Sequence, residues 1–159
     1  MSPLRGPVIA GLALLIAACS SGGAPSGGNV STSSAPEAPP PAANSTDTMT
    51  GATLAQHSGD PAAGQRAFAV CQACHAIEAG AARIGPTMHG VVGRRAGALP
   101  GFSYSPALRD SGIVWTPEKL FQFLENPRRV VPRSRMAFAG VGDPQRRADL
   151  IAYLGTLRD

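Results

Sequence analysis

Cys71-Gln72-Ala73-Cys74-His75 dictates what the rest of this 159-residue chain is built around. Two cysteines three positions apart, followed at once by a histidine, form the attachment signature of a c-type haem. Each thiol can close a thioether to one arm of the porphyrin, and the imidazole then lies close enough to bind the iron from one face. Zinc fits poorly, because a structural site takes four ligands and the only other cysteine, Cys19, belongs to a different kind of segment. A thioredoxin-like redox pair needs a βαβ setting, and no strand pattern surrounds Cys71. A porphyrin bonded here puts a large apolar disc inside whatever forms, so the chain has to fold around it.

Not all of the chain is available for that. Arg5 precedes an apolar run, Val8 to Ala18, too short to span a bilayer and of the kind found in a signal-peptide core. The run ends in Ile16-Ala17-Ala18-Cys19, which resembles the lipobox of bacterial lipoproteins. That resemblance implies a signal peptide over 1–18, cleavage before Cys19, and acylation of Cys19; several acyl chains on one residue hold a protein stably at a membrane. An ordinary signal or an uncleaved anchor is the alternative. Residues 19–57 are rich in Ser, Gly, Pro and Ala and hold no aromatic, so they read as a flexible tether with a reach on the order of 35 Å. The span 58–159 holds all eight aromatics and reads as one small domain. Its thirteen Arg and Lys face eight Asp and Glu, a net +5. A basic face suits acidic partners, and export from the cytoplasm favours acidic protein surfaces over nucleic acid.

Four polar-proline pairs mark helix starts: Asp60-Pro61, Ser105-Pro106, Thr116-Pro117 and Asp143-Pro144. In each, the first residue can cap free N–H groups and proline suits the first helical position. The first helix runs to about Val70, and the second is short and stops by Gly112. The third points Leu120, Phe121, Phe123 and Leu124 inward and ends at Asn126-Pro127. The last carries Leu150, Ile151, Tyr153, Leu154 and Leu157 on one stripe. With no alternating strand, the domain is mostly α, and its irregular stretches 76–104 and 126–142 need a haem to pack on.

If His75 takes one face of the iron, four methionines and two other histidines compete for the other. Met1 is removed, Met49 lies in the tether, and Met88 follows Gly85-Pro86 close to the His75 side, which leaves Met136. The ordered segments that frame these residues resemble the class I cytochromes c of mitochondria and bacteria over essentially all of 59–158. They are Gly59-Asp60 with Gly64 and Phe68, the haem pentapeptide, Gly85-Pro86 through Gly93-Arg94, Pro100-Gly101-Phe102 with Tyr104-Ser105, Gly112 to Trp115, Leu124-Glu125-Asn126-Pro127, the Met136 segment, and Asp149 to Leu154.

The resemblance implies a class I cytochrome c fold, helices and loops wrapped around one covalently bound haem c. Cys71 and Cys74 would hold it, with His75 and Met136 as axial ligands. Pro86 would offer its carbonyl to the free nitrogen of His75, and Arg94, Tyr104, Ser105 and Trp115 would hydrogen-bond the propionates. Gly64 and Phe68 would meet Leu150 and Tyr153 where the first and last helices cross. Leu108, Phe123 and Ser134 stand where the family usually has asparagine, tyrosine and threonine, which implies a drier methionine side. The only lysine is Lys119, so a lysine-ligated alkaline form is not expected.

The implied role is a one-electron carrier, not an enzyme. It would shuttle between membrane respiratory complexes on the periplasmic side of the bacterial cell membrane, as a lipid-anchored monomer. Arg83, Arg94, Arg128, Arg129, Arg133 and Arg135 are candidates for a positive collar that docks on acidic surfaces of a quinol:cytochrome c reductase or dehydrogenase and of a terminal oxidase. A dedicated relay subunit of one dehydrogenase or oxidase is the second reading. A haem peroxidase is a third, disfavoured because Met136 would fill the open iron position that peroxide chemistry needs.

Overall fold

A computed structural model describes residues 38–158; Cys19 and the signal-peptide segment lie outside the described residues. Each predicted cap is used. Helix α1 (Pro61–Ala67) starts where the Asp60 carboxylate accepts from the Ala62 N–H at 2.8 Å, and it tightens into a 3₁₀ turn, Phe68–Val70, before the haem pentapeptide. Helix α2 (Pro106–Arg109) is capped by Ser105 and α3 (Pro117–Glu125) by Thr116. Asn126 does more than end α3: its side chain caps α4 (Pro127–Val130), so the stretch from 126 is not wholly irregular as expected. The sequence presents the same polar-proline pair here, and proline restricts the residue before it and starts the next turn equally well. Helix α5 (Pro144–Thr156) closes the chain from an Asp143 cap. Among the described residues, Arg95 and Val114 form the one isolated antiparallel bridge, and no helix is long and apolar enough to cross a membrane.

The frame is the crossing of α1 on α5. Gly64 faces the Asp149 carbonyl and the Tyr153 Cβ so closely that a methyl group there would overlap both, and Phe68 packs its ring on Tyr153 at 5.4 Å. The expected meeting of Gly64 and Phe68 with Tyr153 is present, and the Asp149 carbonyl lies nearest the glycine. Helix α3 lies on α5 through Leu120, Phe121 and Phe123, with Leu150, Ile151, Tyr153 and Leu154 completing the core. Burying each such side chain contributes roughly 1.5–3 kcal/mol.

The opposite face of α3 differs from the expectation. Lys119 and Gln122, although polar, are 2% and 1% exposed. They are covered by residues 42–57, placed by the sequence reading in a flexible tether; here they pack on the domain. The Lys119 ammonium donates to the carbonyls of Ala42 at 3.1 Å and Ser45 at 2.9 Å and to Gln122 Oε1 at 2.7 Å. Gln122 donates onward to the Asp47 carbonyl at 2.8 Å. The strap then folds back through a 3₁₀ turn, Leu54–Gln56, and His57 stacks on Phe121 with centroids 6.0 Å apart. The ordered domain therefore starts before residue 58.

Candidate functional site

The haem pentapeptide follows the 3₁₀ turn as one helical turn, with the Cys74 and His75 N–H groups donating to the Cys71 carbonyl at 3.0 and 2.9 Å. This turn places both thiols and the imidazole together. Cys71 and Cys74 are unpaired and half-buried, and burial pushes the Cys71 thiol up while the Arg146 charge opposes the shift.

The imidazole is fixed from two sides. Its Nδ1 donates to the Pro86 carbonyl at 2.8 Å, which leaves Nε2 as the free lone pair. Against the ring lies Gly85, where a methyl group would fall within overlap of three ring atoms. Gly85 cannot drift away, because its N–H donates to the Cys74 carbonyl at 2.8 Å and its carbonyl accepts from the Arg83 N–H at 3.1 Å. The next residue but one, Thr87, is 1% exposed and donates its hydroxyl to the Glu78 carbonyl at 2.8 Å, stapling the loop after His75. Gly85, as a ring support, and Thr87 were not among the residues singled out from the sequence; the signal for Gly85 is a glycine directly before the proline that positions the imidazole.

The other singled-out residues fall into two linked groups. Arg94 and Trp115 are brought together by the short bridge, the Trp115 N–H donating to the Arg94 carbonyl at 3.0 Å. Trp115 is buried and packs on Phe123 at 4.7 Å between centroids. The Arg94 guanidinium is half-buried, its burial pushing the pKa down, and it donates to the carbonyls of His89 at 2.9 Å and Thr87 at 2.8 Å. Two of its five N–H groups are thus spent on the backbone. Tyr104 lies edge-on to Phe102 at 4.8 Å, and the buried Ser105 hydroxyl accepts from the Leu108 N–H at 3.3 Å as the cap of α2.

Met136 is partly buried against the core, as is Met88. Its N–H donates to Ser134 Oγ at 3.2 Å, and neighbouring Arg135 donates to the Ser103 carbonyl at 3.1 Å, tying the Met136 loop to the Tyr104 loop. The six arginines of the expected collar divide. Arg94 and Arg129 are half-buried, Arg129 donating to the Asp47 carbonyl of the strap. Arg83, Arg128, Arg133 and Arg135 are exposed. Val70, directly before the pentapeptide in sequence, and Ile84, directly after Arg83, are exposed apolar side chains, 63% and 81% accessible.

Two thiols on one turn, an imidazole with Nδ1 occupied and Nε2 free, and an apolar surround are a donor set that fits a covalently held haem. When bound, that group supplies a reversible one-electron couple at its iron. The comparisons agree. The family profile described as Cytochrome c matches residues 61–158. Cytochrome c2 of Rhodopila globiformis is 48% identical over 101 residues, which is 63% of this chain and 95% of that protein. Cytochrome c2 of Rhodomicrobium vannielii is 44% identical over 114 residues, 68% of this chain and 91% of the relative. Among solved structures, cytochrome cH from Methylobacterium extorquens is similar with a TM-score of 0.59 and 46% identity, covering 62% of this chain and 99% of that one. The chain belongs to the cytochrome c family, as an electron-transfer protein of the class I fold with one covalently bound haem c.

Proposed function

We propose that the protein is a tethered one-electron shuttle whose haem is bonded through Cys71 and Cys74 and clasped by His75 and Met136. The observation that carries this reading is the imidazole geometry: Nδ1 locked on Pro86 and the ring face against Gly85, so that Nε2 is presented in one orientation. A fixed ring keeps the geometry nearly unchanged between oxidation states, which keeps transfer fast, and the Nδ1 hydrogen bond makes the imidazole a stronger donor. Arg94, Tyr104, Ser105 and Trp115 are the propionate contacts in this reading. Phe123 and Leu108 keep the methionine side apolar, which together with a thioether ligand raises the potential.

The shuttle works at the periplasmic face, held by acylated Cys19, with the exposed Arg83, Arg128, Arg133 and Arg135 meeting acidic surfaces on a quinol:cytochrome c reductase or dehydrogenase and on a terminal oxidase. Because residues 42–57 pack on the domain, the linker that gives reach begins N-terminal to residue 42. Electron-transfer rates between the purified holoprotein and membranes tests the docking: the bimolecular rate falls with ionic strength, and Arg128→Gln with Arg133→Gln flattens that dependence. A salt-independent rate in the wild type would contradict docking through charge. Metabolic labelling with a fatty acid tests the anchor, with label expected on the wild type and absent from Cys19→Ala.

A further inference from the structure

Residues 42–52 lie before the matched family region, 61–158, yet they bond to the residues at the two ends of the loop that carries Met136. The strap is anchored by the buried Lys119–Gln122 pair already described. At its far end the Met49 N–H and the Thr50 hydroxyl both donate to the Glu125 carboxylate, at 2.5 and 3.0 Å. Arg129 of α4 donates to the Asp47 carbonyl.

Glu125 is the last residue of α3, and its side chain is 6% exposed. From the other side Arg147 approaches it at 3.5 Å, the guanidinium lying over the Phe121 ring at 4.3 Å. Both ends of the Met136 loop converge here. The Val141 N–H donates to the Leu124 carbonyl at 2.7 Å, and Arg147 donates to the carbonyls of Val141 and Gly142 at 2.8 and 3.0 Å. At the other end, α4 starts from the Asn126 cap directly after Glu125. For Met136 to leave the iron the loop must swing about these two ends, and a swing of α4 pulls Arg129 off the strap.

We infer that residues 42–52 are a positioning clamp: by holding Glu125 and Arg129 they keep the Met136 loop closed over the haem and slow its opening. The inference rests on Met136 being an axial ligand. The two strap donors reach both carboxylate oxygens, Met49 taking Oε2 and Thr50 sharing Oε1 with Arg147, so replacing the strap leaves the Glu125–Arg147 pair open to water and α4 free of its tie to Asp47. Hydrogen bonds to an ionised carboxylate or from a guanidinium are stronger than those between neutral groups.

The test uses full-length ferric holoprotein and measures the rate at which saturating imidazole displaces the methionine, which under saturation equals the rate of loop opening. Replacing residues 42–50 by a Gly/Ser stretch of equal length is expected to speed opening by at least about tenfold, the scale of one net charge-assisted hydrogen bond. Thr50→Val, which folds with the strap in place, gives a smaller rise, and Thr50→Ser, which keeps the hydroxyl, restores the wild-type rate. Phe68→Leu, a loss of stability at the α1–α5 crossing, lowers the melting temperature and leaves the opening rate alone. An unchanged opening rate in both the Gly/Ser and Thr50→Val proteins, or an equal rise in Phe68→Leu, overturns the clamp. A wild type without the far-red band of methionine-ligated ferric haem overturns the ligation itself, which is read before imidazole is added.

Discussion

Gly85→Ala isolates the support of the haem histidine. An added methyl group would sit 2.7 Å from His75 Nδ1 and 3.0 Å from Nε2, and nearer still to Cε1. Ordinary carbon contacts need about 3.5–4.0 Å, so the ring or the backbone must give by ~1 Å. The backbone is pinned by the Gly85 bonds to Cys74 and Arg83, and the ring is pinned by its 2.8 Å bond to Pro86. The weaker of these is the single ring bond. Moving the ring by that amount stretches the Nδ1–carbonyl separation past hydrogen-bond range. The lost bond and residual overlap together cost about 2 kcal/mol, which for a domain of this size lowers the melting temperature by roughly 8 °C. Losing the Nδ1 bond also weakens imidazole donation, which favours the ferrous state and moves the potential up. Thermal melts and redox titration of the holoprotein read both effects. A variant with wild-type melting and wild-type potential would refute the claim that Gly85 fixes the ring.

Three further outcomes follow from individual contacts. Asp143→Ala removes the cap that accepts from the N–H groups of Gln145 and Arg146, and denaturant unfolding should show a loss of about 1 kcal/mol. Burial pushes the Lys119 amine below the ordinary lysine range, with the nearby Arg129 charge adding to it. The unfolded chain then binds that proton more tightly than the folded one, so stability rises with pH between the folded and the ordinary lysine pKa, and the penalty is fully present below that interval. Denaturation midpoints across that interval should rise in the wild type and stay flat in Lys119→Met. The same burial keeps Lys119 from the iron, so a magnetic-resonance titration of the ferric protein should show no lysine-ligated form until the strap is lost; early lysine ligation with the strap intact contradicts this.

Much of this was legible because class I cytochromes c write their fold in short ordered motifs. The polar-proline pairs give every helix start, including the Asn126 cap of α4, which carries the same signal but was read only as a stop. The Pro86 bond to His75 follows from motif order alone. The strap was not legible for a definite reason. Disorder is read from a lack of apolar residues to bury, and residues 42–52 bury few; they are held chiefly by their backbone carbonyls and one N–H, with the Ser45 and Thr50 hydroxyls adding to them, through Lys119, Gln122, Glu125 and Arg129 more than seventy residues away. Backbone groups are the same in every sequence, so only the receiving side carried a hint: a lysine and a glutamine one helical turn apart on α3. The half-burial of Arg94 and Arg129 is hidden for the same reason: their guanidinium groups, like those of Arg83 and Arg135, end on carbonyls that no residue pattern announces.

The central claim is that the iron lies between His75 and Met136. Nuclear magnetic resonance of the ferrous holoprotein, labelled at its methionine methyl carbons, tests it most directly. A methyl bound at the iron lies over the porphyrin face, and its ring current moves that resonance far upfield of the others. One such resonance is expected, absent from Met136→Ala and retained in Met88→Ala. An upfield methyl that survives Met136→Ala, or the lack of any in the wild type, would contradict the account.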